Sequence, residues 1–400
     1  MNIHEYQAKH ILSQFGARIP MGRVAYTPKE AGIAAKDLSE SGPWILKAQI
    51  HAGARRNGYF LEKNAGNCGG IRVVKSYKNI EIEAQKMLNN TLVTIQTGPK
   101  GKKVNKIYVE TFEKVYKKFY LAITIDRITA DLTLLIADYS DGDIIKLAIN
   151  NPELILHVKL DLYQDIDFSK VNEIIQFLHL PKKSAPYLKD LIDGLRKAFL
   201  QLDASMIEIN PVGINKNNEL WVLDAKISFD DNALFRQPQI TLLQDDCEIG
   251  ERELQAKRAK FTYSEFDGNV GCIVNGDGLA LSVMDLLKEK AKGAACFINL
   301  KGGVDKDKIA NGIKIIMTNP KVEGILLNIL GGFVRCNLIA DGIVAAASEI
   351  GLNVPLVIRF EGTNKDIAKE IIENSRLPVI WAETLEDAIE KLHIEMERSA

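Results

Sequence analysis

The sequence has few of the features that mark disulfide-stapled, zinc-binding or membrane-spanning proteins. Its 400 residues include 5 cysteines. These are scattered and contain no Cys-x-x-Cys pair, so we expect neither a disulfide framework nor a zinc site. Reduced cysteines that serve as small apolar residues are typical of the cytoplasm. No apolar run reaches about 18 residues, so no membrane span is expected.

An excess of charge of one sign is also missing, and so is a recognisable leader. The formal net charge is −1, which predicts no general attraction to nucleic acid or to a membrane surface. The first six residues contain no basic region followed by an apolar stretch. We therefore expect no signal peptide and a cytoplasmic location, with the matrix of a mitochondrion or another organelle as the alternative.

What the sequence does contain is the composition of a soluble globular protein. Hydrophobic residues make up 46% of the chain and charged residues 26%, close to the average for folded domains. A chain of this length has room for two or three domains with substantial cores. We expect a folded, multidomain protein rather than a disordered one.

The N-terminal part mixes helices and strands without a strict repeat. Apolar side chains at helical spacing predict a helix over residues 2–16, which Gly16 ends. Short β-rich runs predict strands over residues 43–48 and 107–110.

The C-terminal part alternates strands and helices regularly. Helices are predicted over 305–317 and 334–350, and apolar runs predict strands over 270–274, 295–300, 324–330, 354–360 and 379–381. Strands that alternate with helices predict a parallel sheet covered on both faces. The joint between the two parts is expected in a charged stretch near residues 240–265.

A cluster of carboxylate and amide side chains is the most informative polar pattern. Strands are predicted over 206–214 and 219–226, joined by a polar turn. Side chains alternate along a strand, so Glu208 and Asn210 share one face, and the hairpin returns Asp224 near them. Oxygen ligands on rigid strands suit Mg²⁺. A solvated polar face on an ordinary hairpin explains the spacing equally well.

A basic loop follows the predicted strand that contains Lys47. Residues 51–58 combine small residues with two adjacent arginines, and such a loop can hold phosphates through backbone N–H groups and positive charge. An exposed basic turn is the simpler interpretation of these residues alone. His51 has no evident partner, and we expect it to be a hydrogen-bonded structural histidine.

Three glycine-containing loops follow predicted strands in the C-terminal part. They occupy residues 275–278, 301–303 and 330–332, and the last is predicted to open a helix directly at Phe333. Helix N-termini favour anions, and open parallel sheets bind ligands at their carboxyl edge. Taken alone, each loop is more simply interpreted as an ordinary connection between a strand and a helix. Because the three loops share one edge of the sheet, a ligand-binding site is an equally good interpretation of the set.

Longer motifs occur in a fixed order along the chain. They start with residues 1–9 and continue at 47–49, 208–211, 223–226, 228–236, 267–272 and 331–336. In these motifs and their order, the chain resembles the β subunits of succinate–CoA ligases over nearly its whole length. Several separate motifs in the right order are far more specific than any one of them.

The resemblance implies an α/β fold with an N-terminal ATP-grasp nucleotide-binding domain, residues 1–240, followed by a flavodoxin-like parallel-sheet domain, residues 241–400. It implies a partner α subunit that binds CoA and supplies a transiently phosphorylated histidine. The implied reaction of the tricarboxylic acid cycle converts succinyl-CoA, phosphate and ADP (or GDP) reversibly to succinate, CoA and ATP (or GTP), with Mg²⁺. This chain lacks the α subunit's Gly-His-Ala loop, so we expect activity only with α.

Matching positions imply roles for individual residues. Glu208 faces the phosphohistidine, where its carboxylate can orient the imidazole. The implied nucleotide-binding residues are Lys47, Ala54, Arg55, Arg56, Glu110, Glu113 and Lys118. The implied metal ligands are Asn210 and Asp224, and the implied substrate contacts are Asn275, Gly332, Phe333 and Val334. Without the resemblance, Glu110 and Glu113 have the pattern of ordinary surface carboxylates.

The nucleotide-binding positions depart from the family's pattern. Ala54 and Asn57 replace a glycine and a lysine, and Lys118 replaces a glutamate. Alanine costs about 1 kcal/mol or more where φ must be positive, and lysine cannot accept hydrogen bonds from ribose hydroxyls. Pro20 lies where GTP-using relatives tend to carry glutamine, which favours adenine.

Three functions are therefore open from the sequence. The first is an active succinate–CoA ligase β subunit, ADP-forming rather than GDP-forming. The second is a diverged non-catalytic or regulatory subunit that binds an α partner without turning over nucleotide. The third is a malate–CoA ligase β subunit, which shares the same architecture.

Overall fold

The computed structural model describes residues 1–139, 144–300, 305–331 and 334–399. The chain forms two compact units, Met1–Glu248 and Ile249–Ala400, within which the Cα atoms lie close together in space. The domain boundary after residue 240 stays a prediction. Within the described residues, no helix has both the length and the apolar character needed to cross a membrane.

Helices and strands are mixed along the first unit. The helices are α1 (Glu5–Gln14), α2 (Pro28–Leu38), α3 (Ile80–Met87), α4 (Ile144–Asn150), α5 (Phe168–Phe177), α6 (Ala185–Gln201) and α7 (Pro238–Thr241). The strands are β1 (Gly22–Ala25), β2 (Trp44–Ala48), β3 (Tyr59–Phe60), β4 (Ile71–Val74), β5 (Thr91–Val93), β6 (Lys102–Lys103), β7 (Ile107–Thr111), β8 (Lys117–Ile125), β9 (Leu132–Ala137), β10 (Ile155–Lys159), β11 (Ala204–Ile214), β12 (Leu220–Val222) and β13 (Ala225–Phe229).

These strands form antiparallel sheets. One sheet has the order β1-β7-β2-β4, a second has the order β10-β9-β8-β11-β12 with β13 also paired to β11, and a small sheet has the order β3-β5-β6. Apolar side chains of the second sheet pack against α1, α5 and α6 to form the largest core of this unit. A separate core lies between the first sheet and helices α2 and α3.

Helix α1 is shorter than the helix predicted over residues 2–16. The backbone N–H of His4 donates to Gln7 Oε1 at 2.9 Å, which fixes the start of the helix. The chain leaves the helix at Gly16, where φ is +88°, a conformation that favours glycine.

Two different sides of α1 are buried. Ala8 and Leu12 belong to the main core of the first unit, as expected for an amphipathic helix. Glu5 and Lys9, one helical turn apart, are also buried, with exposed fractions of 5% and 0%. A carboxylate and an ammonium in such positions need charged partners, and those partners define the site described below.

The second unit alternates strands and helices as predicted. Its helices are α8 (Glu251–Arg258), α9 (Asp277–Lys290), α10 (Lys306–Met317), α11 (Cys336–Ile350), α12 (Lys365–Ser375) and α13 (Leu385–Ser399). Its strands are β14 (Thr262–Glu265), β15 (Val270–Val274), β16 (Ala294–Asn299), β17 (Gly324–Gly331), β18 (Leu356–Gly362) and β19 (Val379–Trp381).

The sheet of the second unit has the order β14-β16-β15-β17-β18-β19. Neighbours from β16 to β19 are parallel, and buried apolar clusters cover both faces. The predicted parallel sheet is therefore confirmed. The edge strand β14, which was not predicted from the sequence, pairs antiparallel with β16.

The predicted start of the helix after residue 332 is wrong. Helix α11 begins at Cys336, and Val334 and Arg335 precede it. The Cys336 N–H donates to the C=O of Thr363 at 3.0 Å, so the chain is tied to the loop after β18 before the helix starts. Gly332 and Phe333 lie outside the described residues, as does the loop at 301–303.

Candidate functional site

The strand predicted over residues 219–226 is two strands rather than one. Strands β12 and β13 both pair with β11 and leave Leu223 and Asp224 between them. Strand β11 is irregular at the same place, where its pairing with β8 shifts between Ile209 and Val212. Such irregularities redirect side chains out of the regular alternation of a strand.

This break places Asn210 beside Asp224. The Asn210 N–H donates to the C=O of Asp224 at 3.2 Å, and the Leu223 N–H donates to the C=O of Pro211 at 3.1 Å. The chain therefore returns Asp224 to Asn210, as the sequence predicted, although through a bulged segment rather than a continuous hairpin strand.

The side chains at the break offer the oxygen atoms that a hard cation needs. Asn210 Oδ1 is buried and has no hydrogen-bond partner among the described residues. The Asp224 side chain is 19% exposed. An unpaired amide oxygen beside a reachable carboxylate suits Mg²⁺, which completes its coordination with water and phosphate oxygens. The residues present therefore fit this ion.

Both carboxylate oxygens of Asp224 accept hydrogen bonds from Arg55. The Arg55 Nη2 atom lies 2.9 Å from Oδ1 and 2.7 Å from Oδ2, and Nη1 donates to the C=O of Ala48 at 2.8 Å. Burial alone would lower the pKa of Arg55, but Asp224 and Glu5 raise it. Arg55 is thus a buried cation that faces a predicted metal ligand.

The loop around Arg55 also contains exposed groups. Ala54 has φ 56° and ψ 24°, so this alanine does adopt the left-handed backbone that favours glycine. Ala54, Arg56 and Asn57 are exposed, and Arg56 forms no ion pair within the described part of the chain. The loop therefore combines an exposed basic turn with one buried arginine.

The Lys47 ammonium is satisfied inside the protein. Its Nζ atom lies 2.7 Å from Glu5 Oε1 and 2.7 Å from Glu110 Oε2, and it also donates to the C=O of Leu223. An ammonium has three N–H donors, so these three acceptors use all of them. Burial alone would lower the pKa of Lys47, but Glu110 and Glu5 raise it.

Glu5 and Lys9 complete this arrangement, and neither was predicted from the sequence. Lys9 Nζ lies 3.0 Å from Glu5 Oε1, contacts Glu110 Oε1 and donates to the C=O of Leu223 at 2.7 Å. Glu110 is 1% exposed, so its interpretation as a surface carboxylate from the residues alone is wrong. The spacing of Glu5 and Lys9 on one helix face was the available sequence signal.

We name the residues Glu5, Lys9, Lys47, Arg55, Glu110 and Asp224 the charged cluster. It contains three cations and three carboxylates, so their formal charges balance. Burying charges costs several kcal/mol per ion unless they are well paired. The cluster meets that condition without a ligand, because its members neutralise one another.

Glu208 lies near this cluster on strand β11. Its Oε2 atom lies 3.1 Å from Nζ of Lys226, the residue opposite it on β13. A Cβ atom at Gly53 would lie 2.8 Å from Lys226 Nζ, so the basic loop packs against this lysine. Burial raises the pKa of Tyr120, and the neighbouring Glu208 carboxylate raises it further.

Two predicted nucleotide-binding residues lie apart from the charged cluster. Lys118 is half-buried on β8, opposite Gly213 of β11. Glu113 is half-buried, and its Oε1 accepts a hydrogen bond from Asn215 Nδ2 at 3.4 Å. Neither residue shares a hydrogen-bond partner with Lys47 or Arg55 in the described structure.

The predicted substrate contacts belong to the second unit. The Asn275 side chain donates to the C=O of Leu330 at 2.7 Å and accepts from its N–H at 2.9 Å. It thereby joins the loop after β15 to the end of β17, next to the residues that lie outside the described ranges. Val334 is 7% exposed, so its side chain packs in the core of this unit.

A second cluster of titratable groups contains His4, Asp245 and Glu248, whose ligand-type atoms lie within 4.8 Å of one another. Lys106 lies 2.6 Å from Asp245, and Lys102 lies 2.8 Å from Glu248. These ammonium groups neutralise both carboxylates. The arrangement is therefore an ion-pair network that secures the segment near Glu248.

The His51 side chain does not match the predicted hydrogen-bonded histidine. Its Nε2 atom is buried without a hydrogen-bond partner among the residues described, and its ring centroid lies 4.5 Å from that of His4. The backbone N–H of His51 donates to Glu248 Oε2 at 3.1 Å. The backbone therefore anchors this residue, and its ring packs against the ring of His4.

Two family models match the chain. The ATP-grasp domain model matches residues 2–214, and the CoA-ligase model matches residues 273–393. Among solved structures, ATP citrate lyase from Methanothrix soehngenii superposes with a TM-score of 0.72. At 14% identity, over 98% of this chain and 99% of that chain, this likeness shows the fold alone.

Curated relatives match the chain over nearly its full length. Succinate–CoA ligase [ADP-forming] subunit beta from Paramagnetospirillum magneticum is 43% identical over 393 residues, which cover 98% of both chains. The proteins of the same name from Bradyrhizobium sp. and Paracoccus denitrificans are 42% and 43% identical, with the same coverage.

Proposed function

This chain belongs to the family of ADP-forming succinate–CoA ligase β subunits, and from that membership we propose how it works. It is the nucleotide-binding subunit of an acid–thiol ligase. With a partner α subunit and Mg²⁺, it converts succinate, CoA and ATP reversibly to succinyl-CoA, ADP and phosphate. The complex acts in the cytoplasm, in the tricarboxylic acid cycle.

One observation supports this proposal more than any other. Lys47, Arg55, Asn210 and Asp224 meet at the break between β12 and β13. Two buried cations can bind phosphate oxygens there, and two oxygen-bearing side chains can bind a divalent cation. A nucleotide triphosphate with its metal ion is the common ligand that needs both.

Each residue has a separate task in the proposed mechanism. Lys47 and Arg55 exchange their internal carboxylate partners for phosphate oxygens, and the exposed Arg56 adds positive charge at the loop. Asn210 and Asp224 would hold Mg²⁺. When bound, the ion neutralises phosphate charge as bonding to the γ-phosphorus changes. Glu110, Glu113 and Lys118 complete the proposed nucleotide site.

Glu208 acts on the partner subunit rather than on the nucleotide. The P–O bond to the γ-phosphoryl group breaks, ADP leaves with the bonding electrons, and a P–N bond forms to the histidine of α. The Glu208 carboxylate orients that imidazole and stabilises its charged form. In the second unit, we propose that Asn275, Gly332, Phe333 and Val334 contribute to the site for the acid substrate.

A second candidate function rests on the state of the charged cluster. All three Lys47 donors are used internally, and Arg55 holds Asp224. A β-like subunit that binds α but turns over little nucleotide would keep such a cluster closed. The substitutions at Ala54, Asn57 and Lys118 favour the same candidate.

Reconstitution with an α subunit tests the proposal. The αβ complex is assayed for succinyl-CoA formation with ATP or GTP, and with succinate or malate. We expect turnover with ATP and succinate, and less with GTP or malate. Assembly with α but no turnover with any combination of nucleotide and acid would support the second candidate. Turnover with malate but not with succinate would identify malate as the acid substrate.

A further inference from the structure

Glu5 divides its carboxylate between two cations from different parts of the chain. Its Oε1 atom lies 2.7 Å from Lys47 Nζ, and its Oε2 atom lies 2.7 Å from Arg55 Nη2. Lys47 belongs to strand β2, whereas Arg55 belongs to the loop that follows it. Among the described hydrogen bonds, Glu5 is the acceptor that these two cations share.

The helix that carries Glu5 gives it a fixed position. Glu5 is the first residue of α1, where the positive end of the helix dipole stabilises a carboxylate. Ala8 and Leu12 hold the same helix in the main core of the unit. Lys9 lies one turn further along and contacts both Glu5 and Glu110, so the carboxylate is fixed from two sides.

We propose that Glu5 is a positioning residue of the nucleotide site, which sets the distance between the Lys47 ammonium and the Arg55 guanidinium. This inference rests on the proposed function. Two cations that must meet different phosphate oxygens work only at the right separation, because errors of about 1 Å in reacting groups can cost a hundredfold in rate. Glu5 supplies that separation from a rigid helix and need not touch the nucleotide.

Replacing Glu5 with glutamine separates positioning from charge. The side chain keeps its shape, but the new NH₂ group must face either Lys47 or Arg55, both of which are donors. One cation is therefore displaced, whereas the cluster gains one net positive charge that favours an anionic ligand. If Glu5 is a positioning residue, kcat of Glu5→Gln should fall by about tenfold or more. Its KM for ATP should not rise.

The control removes another ion-paired carboxylate of the same unit, the half-buried Glu83. Glu83 accepts from Arg72 at 2.8 Å and from Lys86 at 2.7 Å, and it belongs to α3, outside the charged cluster. Glu83→Gln should lower thermal stability but leave kcat within about twofold of wild type. Glu5→Asp keeps the charge but is one methylene shorter, so we expect an intermediate kcat.

The test uses the αβ complex in steady state, with each variant's thermal stability measured alongside. A kcat for Glu5→Gln within about twofold of wild type would overturn the inference. So would an equal loss of kcat in Glu83→Gln, because the effect would then reflect general destabilisation.

A measurement without nucleotide keeps this inference separate from the proposed function. Glu110 and Glu5 raise the pKa of Lys47 against the effect of burial, so Glu5→Gln should speed the acetylation of Lys47 by acetic anhydride, followed by peptide mass spectrometry. Lys106, which pairs with Asp245, is the internal control. Suppose that Glu5→Gln speeds the labelling of Lys47 but not of Lys106, while the wild-type complex shows no turnover. That pair of results would refute the proposed function but retain the Glu5 contact. Unchanged labelling would overturn the contact itself.

Discussion

Arg55 and Asp224 form an ion pair at the proposed metal site. The guanidinium lies 2.7 Å from one carboxylate oxygen and 2.9 Å from the other, while Asn210 Oδ1 nearby has no partner among the described residues. The protein's own cation thus occupies one of the two predicted metal ligands. A metal ion bound at the proposed site would therefore compete with Arg55 for Asp224.

This competition predicts that Arg55→Gln binds a divalent cation more tightly when nucleotide is absent. Loss of a charge-assisted hydrogen bond worth about 1.5–3 kcal/mol corresponds to a gain of roughly ten- to a hundredfold. Mn²⁺ binding to the αβ complex, followed by electron paramagnetic resonance, measures it. Arg72→Gln, which removes the arginine paired with Glu83, is the control. Equal Mn²⁺ affinity in wild type and Arg55→Gln would show that Arg55 does not compete.

A second prediction concerns the left-handed backbone of Ala54. Because φ is 56° there, Ala54→Gly should relieve strain of about 1 kcal/mol. In the proposed mechanism the loop must move when Arg55 exchanges Asp224 for phosphate, and glycine eases that movement, so ATP binding should tighten severalfold. Ala130 also has a positive φ, 57°, but follows β8 on an exposed turn. Ala130→Gly should raise stability by a similar amount with no effect on ATP. Isothermal calorimetry measures the ATP affinity of both variants. An equal change in ATP affinity in Ala54→Gly and Ala130→Gly would contradict a specific role for the loop.

Glu208 gives a third prediction, which concerns the partner's histidine. Glu208→Gln should leave ATP affinity nearly unchanged and slow phosphorylation of α by about tenfold or more, because an amide only partly replaces a carboxylate beside a charged imidazole. Rapid-quench measurement of phosphorylated α is the assay. The control is Lys226→Gln, which removes the partner 3.1 Å from Glu208 but keeps the carboxylate. Wild-type phosphorylation rates in Glu208→Gln would remove this residue from the mechanism.

The paired histidines predict how stability depends on pH. Burial, and then the charge of His4, lowers the pKa of His51 from 6.5 to about 4, whereas Glu248 and Asp245 oppose this shift and Lys102 adds to it. Below pH 6.5 the unfolded chain binds a proton that the folded protein does not. The unfolding free energy should therefore fall as pH drops from 6.5 towards 4.

Urea unfolding of the variants at several pH values tests this slope. His51→Gln should flatten it, and some slope should remain because burial also lowers the pKa of His4. The exposed His157 supplies the control variant His157→Gln. A slope unchanged by His51→Gln would show that His51 titrates alike in both states.

Much of the second unit was predictable because its strands are continuous apolar runs. The predicted strands over 270–274 and 379–381 match β15 and β19, since a buried parallel strand leaves little ambiguity in sequence. The start of α11 was not predictable in the same way. A hydrogen bond from Cys336 to Thr363 fixes it, and such a tertiary contact has no local sequence pattern.

The sequence predicted several residues of the candidate site, but it did not predict the charged side chains that pair with them. Lys47, Asn210 and Asp224 follow from strand patterns and the family resemblance. The break at Asp224 was missed because Leu223 continues the apolar run of residues 220–222. Glu5 and Lys9 were missed because charged residues on a helix are usually exposed, and only tertiary packing shows that α1 covers Lys47.

The most direct test of the proposed function is transfer of phosphate from ATP to the partner subunit. The purified αβ complex is incubated with Mg²⁺ and γ-³²P-labelled ATP, and the label on α is measured in wild type and in Asp224→Asn. We predict acid-labile labelling of an α histidine that requires Mg²⁺ and is lost in Asp224→Asn, although that variant folds and binds α. An unlabelled wild-type complex would contradict the account, provided that the same α is labelled when paired with the β subunit of Paracoccus denitrificans.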